Sequence, residues 1–183
     1  MTKNKSKSPI TGEVYCIPYG DDLENINKFL LDNKGSKAVV IQGLGFVGTV
    51  MSLVVANSDE CEYAVFGLDQ ATIDSYWKIG DINRGIMPVI SSDPSVNKYF
   101  DETKIRKNFF ATYDTQCFSH AEVIIVDINL DVTKVKDTDG NLKSYDVPME
   151  GFKSAMRSIG QVCRPDVLVL IETTVPPGTC KQI

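Results

Sequence analysis

Short apolar runs separated by longer mixed segments organise the chain from residue 37 onward. Each run has four to six members and is rich in β-branched residues, which is typical of strands buried on both faces of a parallel sheet. The four runs cover residues 38–41, 63–68, 123–128 and 167–171, and residues 109–112 predict a further strand.

Segments with apolar residues at helical spacing lie between these strands. They predict helices over residues 47–57, 71–83, 95–100 and 149–163. Strands that alternate with helices predict the α/β class, here a Rossmann-like doubly wound parallel sheet. The polar residues 131–146, with the turn signal Asp139-Gly140-Asn141, predict a loop.

The first 36 residues have a different pattern. Residues 1–12 are polar and rich in Lys and Ser, which predicts a mobile tail, and residues 13–18 predict a short strand. Residues 21–33 predict a helix, because Asp21 and Asp22 stand at its start, where the helix dipole favours acidic groups. We therefore expect a tail with a short N-terminal helical extension over residues 1–36, packed on a Rossmann domain over residues 37–183; a partner-binding helix is the alternative.

Composition and charge narrow the class of protein. The chain has 183 residues, of which 43% are hydrophobic and 23% charged, as in globular proteins. A net charge of −5 argues against a nucleic-acid partner, and no apolar stretch reaches the roughly 18 residues of a membrane helix. Five widely spaced cysteines without a CxxC pair indicate reduced thiols in a cytoplasmic protein, with neither a disulfide framework nor a metal site.

A glycine-rich segment directly follows the first predicted strand and opens the next helix: Gly43-Leu44-Gly45-Phe46-Val47-Gly48. In this strand–turn–helix context GxGxxG is a dinucleotide-binding pattern. Gly43 allows the tight turn, Gly45 lets a pyrophosphate approach the backbone, and Gly48 lets the helix pack against the strand. The N–H groups at the helix start, Phe46 and Val47 among them, suit an anion.

Asp69 follows the second strand, 21 residues beyond Gly48. A carboxylate at this distance accepts hydrogen bonds from ribose hydroxyls and repels a 2′-phosphate, which favours NAD over NADP. The plainer interpretation is that Asp69 is a polar residue ending a strand. The glycine pattern favours the cofactor role.

The segment from Gly43 to Gly48 with Asp69 resembles the start of the UDP-glucose/GDP-mannose dehydrogenase family. Three later segments are similar to family segments in the same order and extend the resemblance from Lys37 to the C-terminus. They are Ile82-Asn83-Arg84-Gly85 with Pro88, Phe110-Ala111-Thr112-Tyr113-Asp114 followed by residues 121–126, and Glu172-Thr173-Thr174-Val175-Pro176-Pro177-Gly178-Thr179.

The resemblance implies a cytoplasmic NAD-dependent enzyme of polysaccharide precursor synthesis. Such enzymes oxidise the C6 alcohol of a UDP- or GDP-sugar to the carboxylate with two NAD, through a catalytic cysteine. It also implies that Thr174 lies near the nicotinamide and helps to hold a catalytic water, that a further domain binds the nucleotide sugar, and that the full-length enzyme is a homodimer.

The chain departs from the family at several places, and two of these departures bear on the chemistry. Residues 127–131 replace a Pro-Thr-Pro-like segment, and none of the five cysteines stands in the family's nucleophile motif. We therefore expect this chain to be the NAD-binding part of a longer enzyme and to be inactive alone. A stand-alone NAD-binding or sensing module, and a Rossmann dehydrogenase of the hydroxyacyl-CoA or 6-phosphogluconate type, are the alternatives.

Overall fold

The computed structural model describes residues 4–130 and 133–181. In chain order its strands are β1 (Lys5–Lys7), β2 (Val14–Cys16), β3 (Lys37–Gln42), β4 (Tyr63–Leu68), β5 (Phe109–Thr112), β6 (Val123–Val126), β7 (Thr133–Lys136), β8 (Leu142–Asp146) and β9 (Leu168–Ile171). Its α-helices are α1 (Leu23–Asp32), α2 (Phe46–Ala56), α3 (Tyr76–Asn83), α4 (Pro94–Arg106) and α5 (Glu150–Val162).

Five of these strands form one parallel sheet in the order β5-β4-β3-β6-β9. This order and the helices between the strands confirm the predicted doubly wound fold. Gln42 pairs with Leu68 on one side and with Val126 on the other, so β3, β4 and β6 end at the same level. The chain runs outward from β3 to β5 and then crosses to β6, which puts the topological switch point between β3 and β6.

Both faces of β3, β4 and β6 are covered, which explains why these strands are apolar without alternation. On one face, α1 and α5 pack in a common core with Val40, Phe66 and Ile124. On the other face, α2 packs against Val39 and Val65. The α2 segment contains no charged residue, as expected for a helix pressed between the sheet and α4.

Several predicted boundaries were wrong, most of all that of α4. Helix α3 begins at Tyr76 rather than at residue 71, and β6 ends at Val126. Helix α4 runs to Arg106, far beyond the predicted end at residue 100, and has Pro94 in its first turn. The Asp93 carboxylate caps it by accepting the N–H of Ser95 at 2.8 Å, and Lys107 ends it in the left-handed region at φ 55°.

The predicted mobile tail is wrong for residues 4–12. Strand β1 pairs antiparallel with β2, and this N-terminal hairpin docks on α3. Ser6 and Ser8 are fully buried. The Ser6 hydroxyl accepts the N–H of Trp77 at 3.0 Å and donates to the carbonyl of Ile73 at 2.6 Å, so it supplies a cap that α3 lacks from its own N-cap residue. Polar residues are ordered here because α3 offers them partners.

The predicted loop over residues 131–146 is also wrong in part, because β7 and β8 pair as an antiparallel hairpin; Asp131 and its neighbour at position 132 lie outside the described residues. The turn prediction is confirmed: Asp137 accepts the N–H groups of Asp139 and Asn141. Strand β7 is exposed along its whole length, so it has no alternating pattern to identify it. In the described ranges no helix has the length and apolarity that crossing a bilayer requires.

Candidate functional site

The glycine-rich loop joins β3 to α2 at the switch point of the sheet. Gly43 has φ +106°, and a Cβ there would lie 2.0 Å from the carbonyl oxygen of Asp127. A Cβ on Gly48 would lie 1.9 Å from the carbonyl oxygen of Gly43. Both glycines are therefore required by the turn itself and by the close approach of α2 to β3.

Gly45 differs from the other two glycines of the loop, since it is the N-cap of α2 and a Cβ there would meet nothing within 4 Å. Phe46 and Val47, the first residues of the helix, are 52% and 54% exposed. The start of α2 thus faces open space with its N–H groups and positive dipole end. This is the cradle that a phosphate group needs, and a side chain at Gly45 would fill it.

Asp69 directly follows β4, lies at the same edge of the sheet and connects the end of this strand to the glycine loop. Its Oδ2 accepts the N–H of Leu44 at 3.2 Å, and its Oδ1 accepts the N–H of Gln70 at 2.7 Å. The structure therefore brings together the loop and the acidic residue that lie 21 positions apart in the sequence.

Lys78 pairs with Asp69, a role that the sequence pattern did not predict. Its Nζ lies 2.6 Å from Asp69 Oδ2, and the two side chains are only 21% and 11% exposed. The lysine comes from α3, nine residues after Asp69, and only the docking of α3 brings it to the carboxylate. Its one sequence signal is its place on the helix that follows Asp69.

Asp127 is the second residue whose contribution the sequence analysis missed. It follows β6, where its N–H donates to the carbonyl of Gln42 at 2.8 Å. Its carboxylate accepts the N–H of Gly48, which lowers the pKa of Asp127, but the larger effect is burial, and the net result is a raised pKa. A partly desolvated carboxylate thus stands beside the glycine loop.

Thr174 lies farther from the loop than the other predicted site residues. It is exposed and follows β9, which is two strands away from β3 in the sheet. Its neighbour Thr173 is buried; the Thr173 hydroxyl accepts the N–H of Ile128 at 2.8 Å and lies 3.2 Å from the carbonyl of Val126. Thr173 therefore joins the ends of β6 and β9, and Thr174 stands at the open edge beside this junction.

The arrangement suits a phosphate-bearing ligand at the carboxyl edge of the sheet. It combines a helix start that faces open space with a carboxylate for hydroxyl groups. Within residues 4–130 and 133–181 there is no group of three or more side chains that could hold a metal ion. A parallel sheet with this loop at its switch point defines a Rossmann-type dinucleotide-binding domain.

The family follows from a comparison with known sequences. The model of the UDP-glucose/GDP-mannose dehydrogenase family, NAD binding domain, matches residues 37–183, so the chain belongs to this family. The resemblance inferred from the motifs is thereby confirmed, and NAD is the cofactor of the domain. The open space at Gly45 and the N–H groups at the start of α2 fit the pyrophosphate of this cofactor.

Curated relatives are similar to this chain over most of its length. UDP-N-acetyl-D-mannosamine dehydrogenase of Pyrococcus horikoshii is 26% identical over 145 residues, which is 79% of this chain and 30% of that protein. UDP-glucose 6-dehydrogenase 5 of Oryza sativa subsp. japonica is 26% identical over 142 residues, or 77% of this chain and 27% of the relative. The chain thus spans less than a third of the length of these relatives.

Solved structures share the fold. The NDP-N-acetyl-D-galactosaminuronic acid dehydrogenase of Methanosarcina mazei superposes with a TM-score of 0.70 at 23% identity, covering 86% of this chain and 32% of that one. The GDP-mannose dehydrogenase of Pseudomonas aeruginosa has a TM-score of 0.61 at 22% identity, over 79% and 30% of the two chains.

Proposed function

We propose that this chain is the NAD-binding part of a nucleotide-sugar 6-dehydrogenase, which oxidises the C6 alcohol of a UDP- or GDP-sugar to the carboxylate with two NAD. The observation that carries the proposal is the family match over the domain, together with a glycine loop shaped as that cofactor requires. The sugar nucleotide and the nucleophilic cysteine then belong to other parts of a longer enzyme, and this chain by itself is inactive.

In this proposal, different residues of the chain bind the pyrophosphate and the adenosine ribose of the cofactor. Gly43, Gly45 and Gly48, with the N–H groups of Phe46 and Val47, hold the pyrophosphate at the start of α2. Asp69 accepts hydrogen bonds from the adenosine ribose, and Lys78 fixes the orientation of that carboxylate. When bound, NAD supplies the hydride acceptor.

Thr174 belongs to the reacting end of the proposed site. It stands exposed at the edge where β6 and β9 end, and its hydroxyl suits the positioning of a water molecule beside the nicotinamide. Thr173 supports it by joining the two strand ends. We place the whole enzyme in the cytoplasm as a homodimer that supplies precursors for polysaccharide synthesis, by resemblance to its family.

Gly45→Val is the variant that tests the cofactor site without disturbing the fold. Gly45 has φ −70° and open space around its Cβ position, so valine fits the backbone but fills the phosphate cradle. We expect calorimetric titration with NAD to show binding to the wild-type chain and a loss of at least about a hundredfold in affinity in the variant.

Gly151→Val is the matched control, because Gly151 also has open space at its Cβ position and lies in α5. It should bind NAD like the wild type, and both variants should keep the wild-type circular dichroism spectrum. Unchanged NAD affinity in Gly45→Val would contradict the proposed site, and absence of binding in the wild type would contradict the proposed function.

A further inference from the structure

A carboxylate shares the start of α2 with the proposed pyrophosphate site. Asp127 Oδ2 lies 3.1 Å from the ideal Cβ position of Gly48, and the carboxylate accepts the N–H of Gly48 in the first turn of α2. Such N–H groups are the ones that a helix start offers to a bound anion. The Asp127 carboxylate is thus a negative charge of the protein close to the proposed binding site of the negatively charged pyrophosphate.

The backbone holds this carboxylate in position. The Asp127 N–H donates to the carbonyl of Gln42 at 2.8 Å, and the next N–H, that of Ile128, donates to the Thr173 hydroxyl at 2.8 Å. Residue 127 is therefore fixed between the ends of β3 and β9. Its side chain therefore starts from a fixed point beside the glycine loop.

Charges on the neighbouring elements do not neutralise this carboxylate. Helix α2 has no charged residue, and Lys37, the one charged residue of β3, stands at the opposite end of that strand. At the carboxyl edge, Asp69 is already paired with Lys78, and the exposed Glu172 after β9 is itself acidic. Burial is accordingly the main influence on Asp127, and it raises the pKa of this group.

We infer that Asp127 sets the affinity and the pH dependence of dinucleotide binding at the glycine loop. This inference rests on the proposed function. In its ionised form the carboxylate repels the pyrophosphate and occupies the N–H of Gly48. In its protonated form the repulsion is absent, and the carboxyl O–H donates a hydrogen bond to a phosphate oxygen.

The sign of the pH effect follows from this competition. A phosphate group close to the carboxylate raises the pKa of Asp127 further, so binding takes up a proton at pH values between the pKa of the free protein and the higher pKa of the complex. Affinity for NAD therefore rises as the pH falls through the pKa of the complex and levels off below the pKa of the free protein. A variant without the titrating group loses this dependence.

The test is calorimetric titration of the full chain with NAD between pH 5.5 and 8 for the wild type and Asp127→Asn. Asparagine keeps the shape and can still accept the Gly48 N–H but has no charge. We expect it to bind NAD roughly tenfold more tightly at pH 8, as removal of one close charge predicts, and with a flattened pH profile. Wild-type binding should also show proton uptake when buffers of different ionisation enthalpy are compared.

Two controls keep the result specific to the pyrophosphate. Asp59→Asn makes the same charge change at a side chain that is 98% exposed, and it should leave the affinity unchanged. ADP-ribose, which has the pyrophosphate but not the charged nicotinamide ring, should gain as much affinity in Asp127→Asn as NAD does.

Equal affinity and equal pH dependence in the wild type and Asp127→Asn would overturn the inference while leaving the proposed function intact. A variant that weakens NAD but not ADP-ribose would also overturn it, because Asp127 would then act on the nicotinamide. Failure of every variant to bind NAD, including Asp127→Asn at pH 5.5, would overturn the proposed function and the inference with it.

Discussion

The three glycines of the loop meet different structural requirements, although they belong to one motif. Gly43 and Gly48 are dictated by the fold, because a Cβ at either position would overlap a backbone carbonyl oxygen. Gly45 meets no such neighbour, so in the proposed site its role is to leave space for a ligand. The pattern GxGxxG therefore combines two requirements of folding with one of binding.

In the proposed site, cofactor selectivity depends on the pair formed by Asp69 and Lys78, since their charges act on the 2′ position in opposite directions. We predict that Asp69→Asn lowers the affinity for NAD and raises the affinity for NADP. The change removes the charge that repels a 2′-phosphate and leaves the Lys78 ammonium free to attract it. The ratio of the two dissociation constants should shift by roughly tenfold or more toward NADP.

Separate calorimetric titrations with NAD and NADP measure this ratio. Asp74→Asn is the control, because Asp74 is an exposed carboxylate in the same connection between β4 and α3. An unchanged ratio in Asp69→Asn would show that neither member of the pair faces the 2′ position.

At the scale of elements, the N-terminal extension completes the domain. Right-handed crossovers place α2 and α4 on one face of β3, β4 and β5, and the opposite face of these strands needs another cover. Helix α1 provides it: Phe29 packs edge-on against Phe66 at 4.9 Å between ring centroids and lies 5.6 Å from Phe110. Helix α1 is therefore part of the core.

The N-terminal hairpin, in turn, stabilises α3 through a buried acid. Asp81 is fully buried, and it accepts hydrogen bonds from the Ser8 hydroxyl at 2.6 Å and from the Tyr15 hydroxyl. The Tyr15 ring lies against Gly80, where a Cβ would be 2.4 Å from a ring carbon, and Arg84 lies over the same ring. Asp81 and Lys78 both belong to α3, so the hairpin also helps to hold Lys78 beside Asp69.

Tyr15→Phe should destabilise the protein by about 1–3 kcal/mol, since the ring stays but buried Asp81 loses a hydrogen-bond donor. Urea unfolding followed by circular dichroism measures the change. Tyr19→Phe, at a side chain that is 79% exposed, is the matched control and should have no measurable effect. Equal stability of the two variants would mean that the hairpin contributes nothing through Asp81.

At the scale of the whole molecule, the core contains a group that makes the fold sensitive to alkali. Cys117 is fully buried in the cluster that joins the sheet to α1 and α5. Burial, with a smaller effect of Asp114, raises the pKa of this thiol strongly. The unfolded chain therefore releases its proton first, near pH 8.5, and stability contributed by the neutral thiol is lost as the pH rises above that value.

We predict that the wild type loses about 1.4 kcal/mol of unfolding free energy per pH unit between roughly pH 9 and 10 from this group. Cys117→Ala should be less stable at neutral pH, because it leaves a small cavity, but its stability should fall less steeply over this range. Urea unfolding at each pH gives the two slopes. Cys180→Ala, at an exposed position, should keep the wild-type profile, and parallel slopes in the wild type and Cys117→Ala would contradict the prediction.

The sequence by itself determined the sheet, its parallel class, the glycine loop and the family, because buried parallel strands are continuous apolar runs and the loop has a fixed local pattern. Tertiary structure alone decided which partners several other polar residues contact. Ser6 and Ser8 are ordered by partners about 70 positions away, Lys78 reaches Asp69 only because α3 docks, and Asp127 meets α2 only where two strands end side by side. A polar side chain takes its role from its partners, and these are brought together only when the chain has folded.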